Sequence, residues 1–138
     1  AWSLCNVALV HLKNVPLFRT VIPSKIFEAM GMGLPILLAA PDGEASSIVC
    51  REEAGLCVPA EDPAKLAAGV LLLKENRPIL DQFSKCSYEA APRYTRERQA
   101  RDMLDAICAA VPKKLTLTAA PQPNDVEFAP SSNTQKLL

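Results

Sequence analysis

Short apolar runs alternate with helix-forming stretches over the first half of this sequence, and that order restricts the fold more than any other feature. Strands are predicted at residues 5–12, 34–40 and 56–60. Helices are predicted at residues 24–33, at residues 44–53 and from residue 63 to near Pro78. An alternating order of strands and helices is typical of a parallel sheet with helices on both faces. The predicted fold class is therefore α/β, with a Rossmann-like parallel sheet and flanking helices.

Cap and turn residues set the expected ends of these elements. Ser24 is expected to cap the free amides of the first helix, and Gly31 and Gly33 are expected to stop it. Gly55 is expected to end the second helix. Asp62, followed by proline, is a predicted N-cap of the third helix. The apolar residues of that third helix fit one face: Leu66, Val70, Leu71 and Leu73.

The last third of the chain is predicted to be helical and then disordered. Two further helices are expected, at residues 79–91 and 95–111. Residues 112–138 are rich in Pro, Ser, Thr and Asn and are expected to form a disordered tail, so the folded domain is residues 1–111. Four arginines near the last helix are balanced by acids, which favours a solvated face: Arg93, Arg96, Arg98 and Arg101 against Glu89, Glu97, Asp102 and Asp105.

Composition excludes several classes of protein. Fifteen basic and fifteen acidic residues give a formal net charge of zero, so a dedicated nucleic-acid-binding role is not expected. No apolar run is long enough to span a membrane, and the first residues do not resemble a signal peptide. The chain opens almost inside a strand, and a three-strand sheet is small, so an N-terminal part is expected to be missing.

The five cysteines are scattered through apolar stretches without a paired spacing, which favours free, largely buried thiols in a reducing cytoplasm. A disulfide remains open. The single histidine, His11, is expected to lie in the core or at the rim of the sheet rather than to act in catalysis. With one histidine and dispersed cysteines, no metal site is predicted.

One polar segment stands at a predicted carboxyl end of the sheet, where open α/β sheets bind ligands. The first turn of the first helix offers free amides and the ammonium of Lys25, which suit a phosphate. Glu28 suits neutral hydroxyls beside that phosphate, as a ribose provides. A nucleotide diphosphate satisfies both residues, although an ordinary surface pair is the alternative. Gly43 and Glu44 follow the second strand and are further candidates, with a plain helix-terminal acid as the alternative for Glu44.

The segment VIPSKIFEAMGMGLPIL, residues 21–37, resembles the C-terminal half of glycosyltransferase family 4 enzymes, which have a GT-B fold. The pattern P-S-K-x-x-E-x-M-x-x-G-x-P is similar to a subgroup acting on surface polysaccharides of the colanic acid or O-antigen type. The likeness continues through DGEASSIVCREEAGLCVPAEDPAKLAAGV, residues 42–70, and covers roughly residues 4–110. No counterpart is recognised for the tail beyond Pro112.

The resemblance implies a retaining transfer of a sugar from a nucleotide diphosphate sugar, most simply a UDP-sugar, to an acceptor hydroxyl, with no cofactor or metal required. It places Glu28 on the ribose and places Pro23, Ser24 and Lys25 against the diphosphate and sugar, so Lys25 and Glu28 are the candidate catalytic residues. Many members carry a glutamate eight positions before the ribose one, where this chain has Thr20. Thr20 is therefore a candidate sugar contact, and the sugar-side contacts stay open.

The resemblance also implies partners and rivals. The acceptor would be a saccharide or a lipid-linked saccharide, supplied to the site by the missing N-terminal GT-B domain, and this chain alone would bind weakly and be inactive. The enzyme would be cytoplasmic, with peripheral contact at the inner face of the membrane as an alternative. Two other functions remain: a GT-B nucleotide-sugar epimerase, and a non-catalytic α/β interaction module.

Overall fold

The computed structural model describes residues 4–110. The predicted tail at residues 112–138 and the predicted helix end at Val111 lie outside this range. The chain divides into two units, residues 1–103 and residues 104–138, and the fold described below belongs to the first.

Three strands and five α-helices form the described part of the chain, together with two 3₁₀ helices. The strands are β1 at Ala8–His11, β2 at Ile36–Ala39 and β3 at Gly55–Val58. The α-helices are α1 at Ser24–Gly31, α2 at Glu44–Arg51, α3 at Pro63–Glu75, α4 at Arg77–Ala90 and α5 at Arg96–Ala110. The 3₁₀ helices are Pro16–Arg19, inside the predicted loop between β1 and α1, and Ala91–Tyr94.

The sheet is parallel throughout and has the order β1-β2-β3. Leu38 in the central strand pairs with Val10 on one side and with Cys57 on the other. Each crossover passes through a helix, as the alternating pattern of strands and helices requires. The predicted α/β class with a Rossmann-like parallel sheet is confirmed.

The main core fills one face of the sheet. Alternate strand residues project into it, and α1 and α2 cover them: Ala8, Val10, Ile36 and Leu38 from the strands, with Ile26, Met30 and Val49 from the helices. The opposite face is covered by α3, where Gly69 lies against Leu37; a Cβ atom on Gly69 would stand 3.0 Å from the Leu37 Cδ1 atom. Helices therefore cover both faces.

Two predictions about side-chain burial, in β1 and in α3, are wrong. All four residues of β2 are buried, as expected, but β1 alternates, and Leu9 is 49% exposed. The reason is its edge position, where no described helix covers the side chain. On α3 the buried residues are Gly69 and Leu73, whereas Val70 and Leu71 are exposed. The sequence pattern placed the face incorrectly because α3 is apolar on nearly all sides.

The helix ends confirm some cap predictions and correct others. Gly33 has a positive φ of 63° just beyond α1, and Asp62 Oδ1 accepts the Lys65 N–H at 2.9 Å at the start of α3. Gly55 does not end α2. It begins β3, where a Cβ atom would lie only 1.8 Å from the carbonyl oxygen of Ile36. Glycine is needed here for close approach of two strands rather than for helix termination.

The cysteines are less buried than expected. Cys50 and Cys108 are exposed, while Cys57 and Cys86 are partly buried, and all four are free thiols. His11 is exposed at the carboxyl end of β1, so it is at the rim and not in the core. Among the helices of residues 4–110, none combines the length and apolar content that crossing a bilayer requires.

Candidate functional site

The polar segment predicted from the sequence lies at the carboxyl edge of the sheet. α1 follows β1 and leads through a four-residue connection, residues 32–35, into the start of β2. The end of α1 therefore lies near the amino edge of the sheet, and its first turn lies near the carboxyl edge. This is the edge at which open α/β sheets bind ligands.

Ser24 and Glu28 are joined within the first turns of α1. Pro23 occupies the N-cap position in extended backbone, and Ser24 is the first helical residue. The predicted capping role of Ser24 is wrong, because its hydroxyl donates instead to Glu28 Oε1 at 3.1 Å. This bond directs the exposed Glu28 carboxylate toward the beginning of the helix. A carboxylate has about four acceptor positions, and within residues 4–110 this one uses a single hydrogen bond.

The first turn of α1 also presents unused positive groups. Lys25 is exposed, and its ammonium forms no ion pair with the described part of the chain. The N–H groups of Ser24 and Lys25 have no backbone acceptor among residues 4–110. Unpaired amides of this kind carry the partial positive charge of a helix N-terminus. An anion bound here meets two amides and one mobile ammonium.

The loop after β2 meets the loop that leads into α1. Gly43 lies so close to Arg19 that a Cβ atom on it would stand 2.1 Å from the Arg19 carbonyl oxygen. Thr20 follows directly, and its hydroxyl donates to the Leu17 carbonyl at 3.1 Å. Glu44 is the exposed first residue of α2. The structure therefore brings the two predicted loops together through backbone contact at Arg19 and Gly43.

A cavity of about 510 Å³ lies beside this contact, at the carboxyl ends of β2 and β3. Its polar lining includes Asn14, Arg19, Asp42, Ser46 and Cys57. Sequence reasoning missed Arg19, an exposed cation without an ion pair inside residues 4–110. Its signal was a basic residue in a loop leaving the carboxyl end of a strand. Ser24, Lys25 and Glu28 do not line this cavity.

A second polar cluster lies at the opposite edge of the sheet. Glu52 follows α2 and has a side chain only 9% exposed. It accepts the Tyr94 hydroxyl at 2.6 Å, the Arg51 Nε–H at 3.3 Å and a short hydrogen bond from Arg93. Burial alone would raise the pKa of Glu52, but the hydrogen bonds from Tyr94, Arg93 and Arg51 outweigh it and hold the pKa below its ordinary value. This cluster joins α2 to the 3₁₀ helix Ala91–Tyr94.

These features define a Rossmann-like α/β domain with exposed polar groups at the carboxyl edge of its sheet. The chain belongs to the family described as Glycosyl transferases group 1, whose model matches residues 8–90, from the start of β1 to the end of α4. The matched stretch includes Ser24, Lys25, Glu28 and Gly43. No curated protein and no solved structure matches the chain. The domain is therefore one for glycosyl transfer, a reaction between a sugar donor and an acceptor.

Proposed function

We propose that this domain binds the donor in a retaining transfer of a sugar from a nucleotide diphosphate sugar, with UDP-sugar as the first candidate, to an acceptor hydroxyl. The acceptor would be a saccharide or a lipid-linked saccharide of a cytoplasmic pathway that builds surface polysaccharide. The observation that carries the proposal is the pairing of unused positive groups with an exposed carboxylate at the start of α1.

The positive groups suit a diphosphate. Two backbone amides and the Lys25 ammonium lie in one helical turn without competing partners in the described chain. A helix N-terminus favours a bound anion, and an ammonium adds a mobile full charge. Departure of a nucleotide diphosphate builds negative charge on its oxygen atoms, so groups that stabilise this charge lower the barrier. Lys25 would thereby act in binding and, by stabilising part of this charge, in catalysis.

Glu28 suits the ribose. An ionised carboxylate only accepts hydrogen bonds, so it repels phosphate and attracts hydroxyl groups. The bond from Ser24 fixes Oε1 near the helix start and leaves the other oxygen atom available. A nucleotide whose diphosphate lies over the amides therefore has its ribose within the reach of this carboxylate. Pro23, Thr20, Gly43 and Glu44 complete the proposed donor surface.

The remaining parts of the reaction would come from elsewhere in a GT-B enzyme. We assign this chain to the second half of the C-terminal domain and assign the acceptor site, with its proton-handling group, to an N-terminal domain. A nucleotide-sugar epimerase of the same fold uses the same donor but needs further acid and base residues close to the sugar. Such acid and base residues are not identified among residues 4–110.

Binding of UDP tests the proposal directly. The full chain is titrated with millimolar UDP, and the melting temperature and backbone amide chemical shifts are followed. We expect a saturable rise in melting temperature and shifts centred on residues 20–28. Glu28→Ala should weaken binding roughly 10- to 100-fold, because a hydrogen bond to a charged group contributes about 1.5–3 kcal/mol.

The matched control is Glu97→Ala, which removes an exposed carboxylate near the start of another helix, α5. Its affinity for UDP should equal that of the wild-type chain. Equal weakening by both substitutions would indicate a general charge effect and would contradict the site. Absence of any saturable response in the complete enzyme would favour the interaction module.

A further inference from the structure

Two thiols face each other between α2 and β3. The Cys50 S–H points to Cys57 Sγ, with the sulfur atoms 3.3 Å apart. Cys57 in turn donates to the Ser46 carbonyl at 3.7 Å. Cys50 is exposed in the last turn of α2, whereas Cys57 is partly buried in β3. The proposed donor-binding role uses neither residue, so this pair has no assigned purpose.

We propose that Cys50 and Cys57 form a peroxide-sensitive dithiol that closes to an intramolecular disulfide on the wall of the 510 Å³ cavity. A disulfide bond is about 2.05 Å long, so the sulfur atoms need to approach by only roughly 1.2 Å. Cys50 is exposed, so we expect rotation of its side chain to supply that movement. This inference is independent of the donor-binding proposal.

The order of the two steps follows from exposure. The Cys50 thiolate attacks a peroxide oxygen atom, the O–O bond breaks, and Cys50 becomes a sulfenic acid while hydroxide leaves. The Cys57 sulfur then attacks the Cys50 sulfur, an S–S bond forms, and water leaves with the Cys57 proton. Two thiols are oxidised and one peroxide is reduced. Burial, followed by the nearby Cys50, raises the pKa of Cys57 to about 12, which makes Cys57 the resolving partner rather than the first nucleophile.

The consequence concerns the cavity. Cys57 is part of its lining, and the new bond ties the end of α2 to the middle of β3 across a loop of only six residues, 51–56. The oxidised chain therefore has a cavity wall without a free thiol and a fixed connection between α2 and β3. Any ligand of this cavity would meet two forms of the wall, set by the redox state.

Peptide mapping of the full chain tests this inference, because Arg51 separates the two cysteines for trypsin. Cleavage yields one peptide of residues 26–51 with Cys50 and another of residues 52–65 with Cys57. After graded hydrogen peroxide and alkylation, we expect these two peptides to appear joined, with a mass two hydrogens below their sum. Dithiothreitol should separate them, and the yield should not depend on protein concentration.

Variants separate this pairing from general oxidation. Cys57→Ser should leave Cys50 as a sulfenic acid that dimedone traps, whereas Cys86→Ser, at another partly buried free thiol, should give the joined peptides in wild-type yield. Over-oxidised Cys50 beside alkylated Cys57 in the wild-type chain would overturn the inference. Equal linkage of Cys50 to Cys86 or Cys108 would overturn it as well. The wild-type map decides the outcome even where Cys57→Ser fails to fold.

Discussion

Glu28 and Glu52 are glutamates near the ends of neighbouring helices, and their surroundings differ in nearly every respect. Glu28 is exposed and bonds only to Ser24 within residues 4–110. Glu52 has a side chain 9% exposed and bonds to two arginines and a tyrosine. Glu28 stands at the carboxyl edge of the sheet, and Glu52 stands at the amino edge.

The difference indicates that the two edges of the sheet have different roles, one in stability and one in ligand binding. At the amino edge the polar groups satisfy one another and join α2 to the 3₁₀ helix Ala91–Tyr94. At the carboxyl edge, amides, an ammonium and a carboxylate retain unused hydrogen-bonding capacity. Groups that are already paired contribute to stability, whereas unpaired groups on a rigid support are available to a ligand.

The largest loss in the free energy of unfolding is expected from Gly55→Ala, at the amino edge of the sheet. The new Cβ atom would lie 1.8 Å from the Ile36 carbonyl oxygen, so β3 has to move away from β2. We expect a loss of about 3 kcal/mol or more in the free energy of unfolding, measured by urea denaturation. Gly31→Ala is the control, because its Cβ atom meets nothing within 4 Å and its stability should change by less than about 1 kcal/mol. If Gly55→Ala were as stable as the wild-type chain, the amino edge would not have the role in stability that we assign to it.

Glu52→Gln is expected to cause an intermediate loss in the free energy of unfolding, and this loss should depend on pH. The hydrogen-bonded carboxylate has a pKa below its ordinary value of 4.5, so its contribution to stability is complete above pH 4.5 and disappears as the pH falls through the lowered pKa. Near neutral pH we expect a loss of about 1–2 kcal/mol, a value reduced because Arg51 and Arg93 are mostly exposed. UDP binding should not change.

Urea denaturation from pH 7 down to acid conditions checks this prediction. The difference between wild type and Glu52→Gln should shrink below pH 4.5, since protonation of Glu52 removes the same charge. Glu89→Gln is the control, because Glu89 is exposed and lies 3.9 Å from Lys85, where little stability is at stake. A difference that stays constant with pH would show that the Glu52 carboxylate charge contributes nothing.

The element order was predictable from the sequence because it depends on local patterns. The apolar run of β2 is buried on both sides, and Asp62 with Pro63 marks the start of α3, so both were found correctly. The exposure of Leu9 in β1 and the buried face of α3 could not be predicted from the sequence. Both depend on which element packs against these residues in the fold. Leu9 and Leu37 have the same residue type, yet one is 49% exposed and the other 1%.

Some features of the candidate site could likewise be predicted from the sequence, and others could not. Lys25 and Glu28 were selected from spacing and from the family pattern, and they lie together in the first turns of α1. The contact of Gly43 with Arg19 joins segments 24 residues apart in the chain, so no local pattern contained it. The Ser24 hydroxyl was assigned to capping because serine before a helix commonly caps. Proline at the preceding position moved the helix start by one residue and made that hydroxyl available to Glu28.

The smallest effect, a change in UDP affinity, is expected from Ser24→Ala at the carboxyl edge. This variant tests whether the orientation of Glu28 matters as well as its charge. The substitution removes the one hydrogen bond that holds Glu28 but leaves its charge and its exposure intact. This exposed bond orients Glu28 without itself contacting UDP, so we expect UDP affinity to fall only roughly threefold while the melting temperature of the free chain stays unchanged. Ser47→Ala, at an exposed serine of α2, should leave both quantities as in the wild-type chain. Should Ser24→Ala bind UDP as tightly as wild type, Glu28 would need no orientation by Ser24, and the carboxyl edge would act through charge alone.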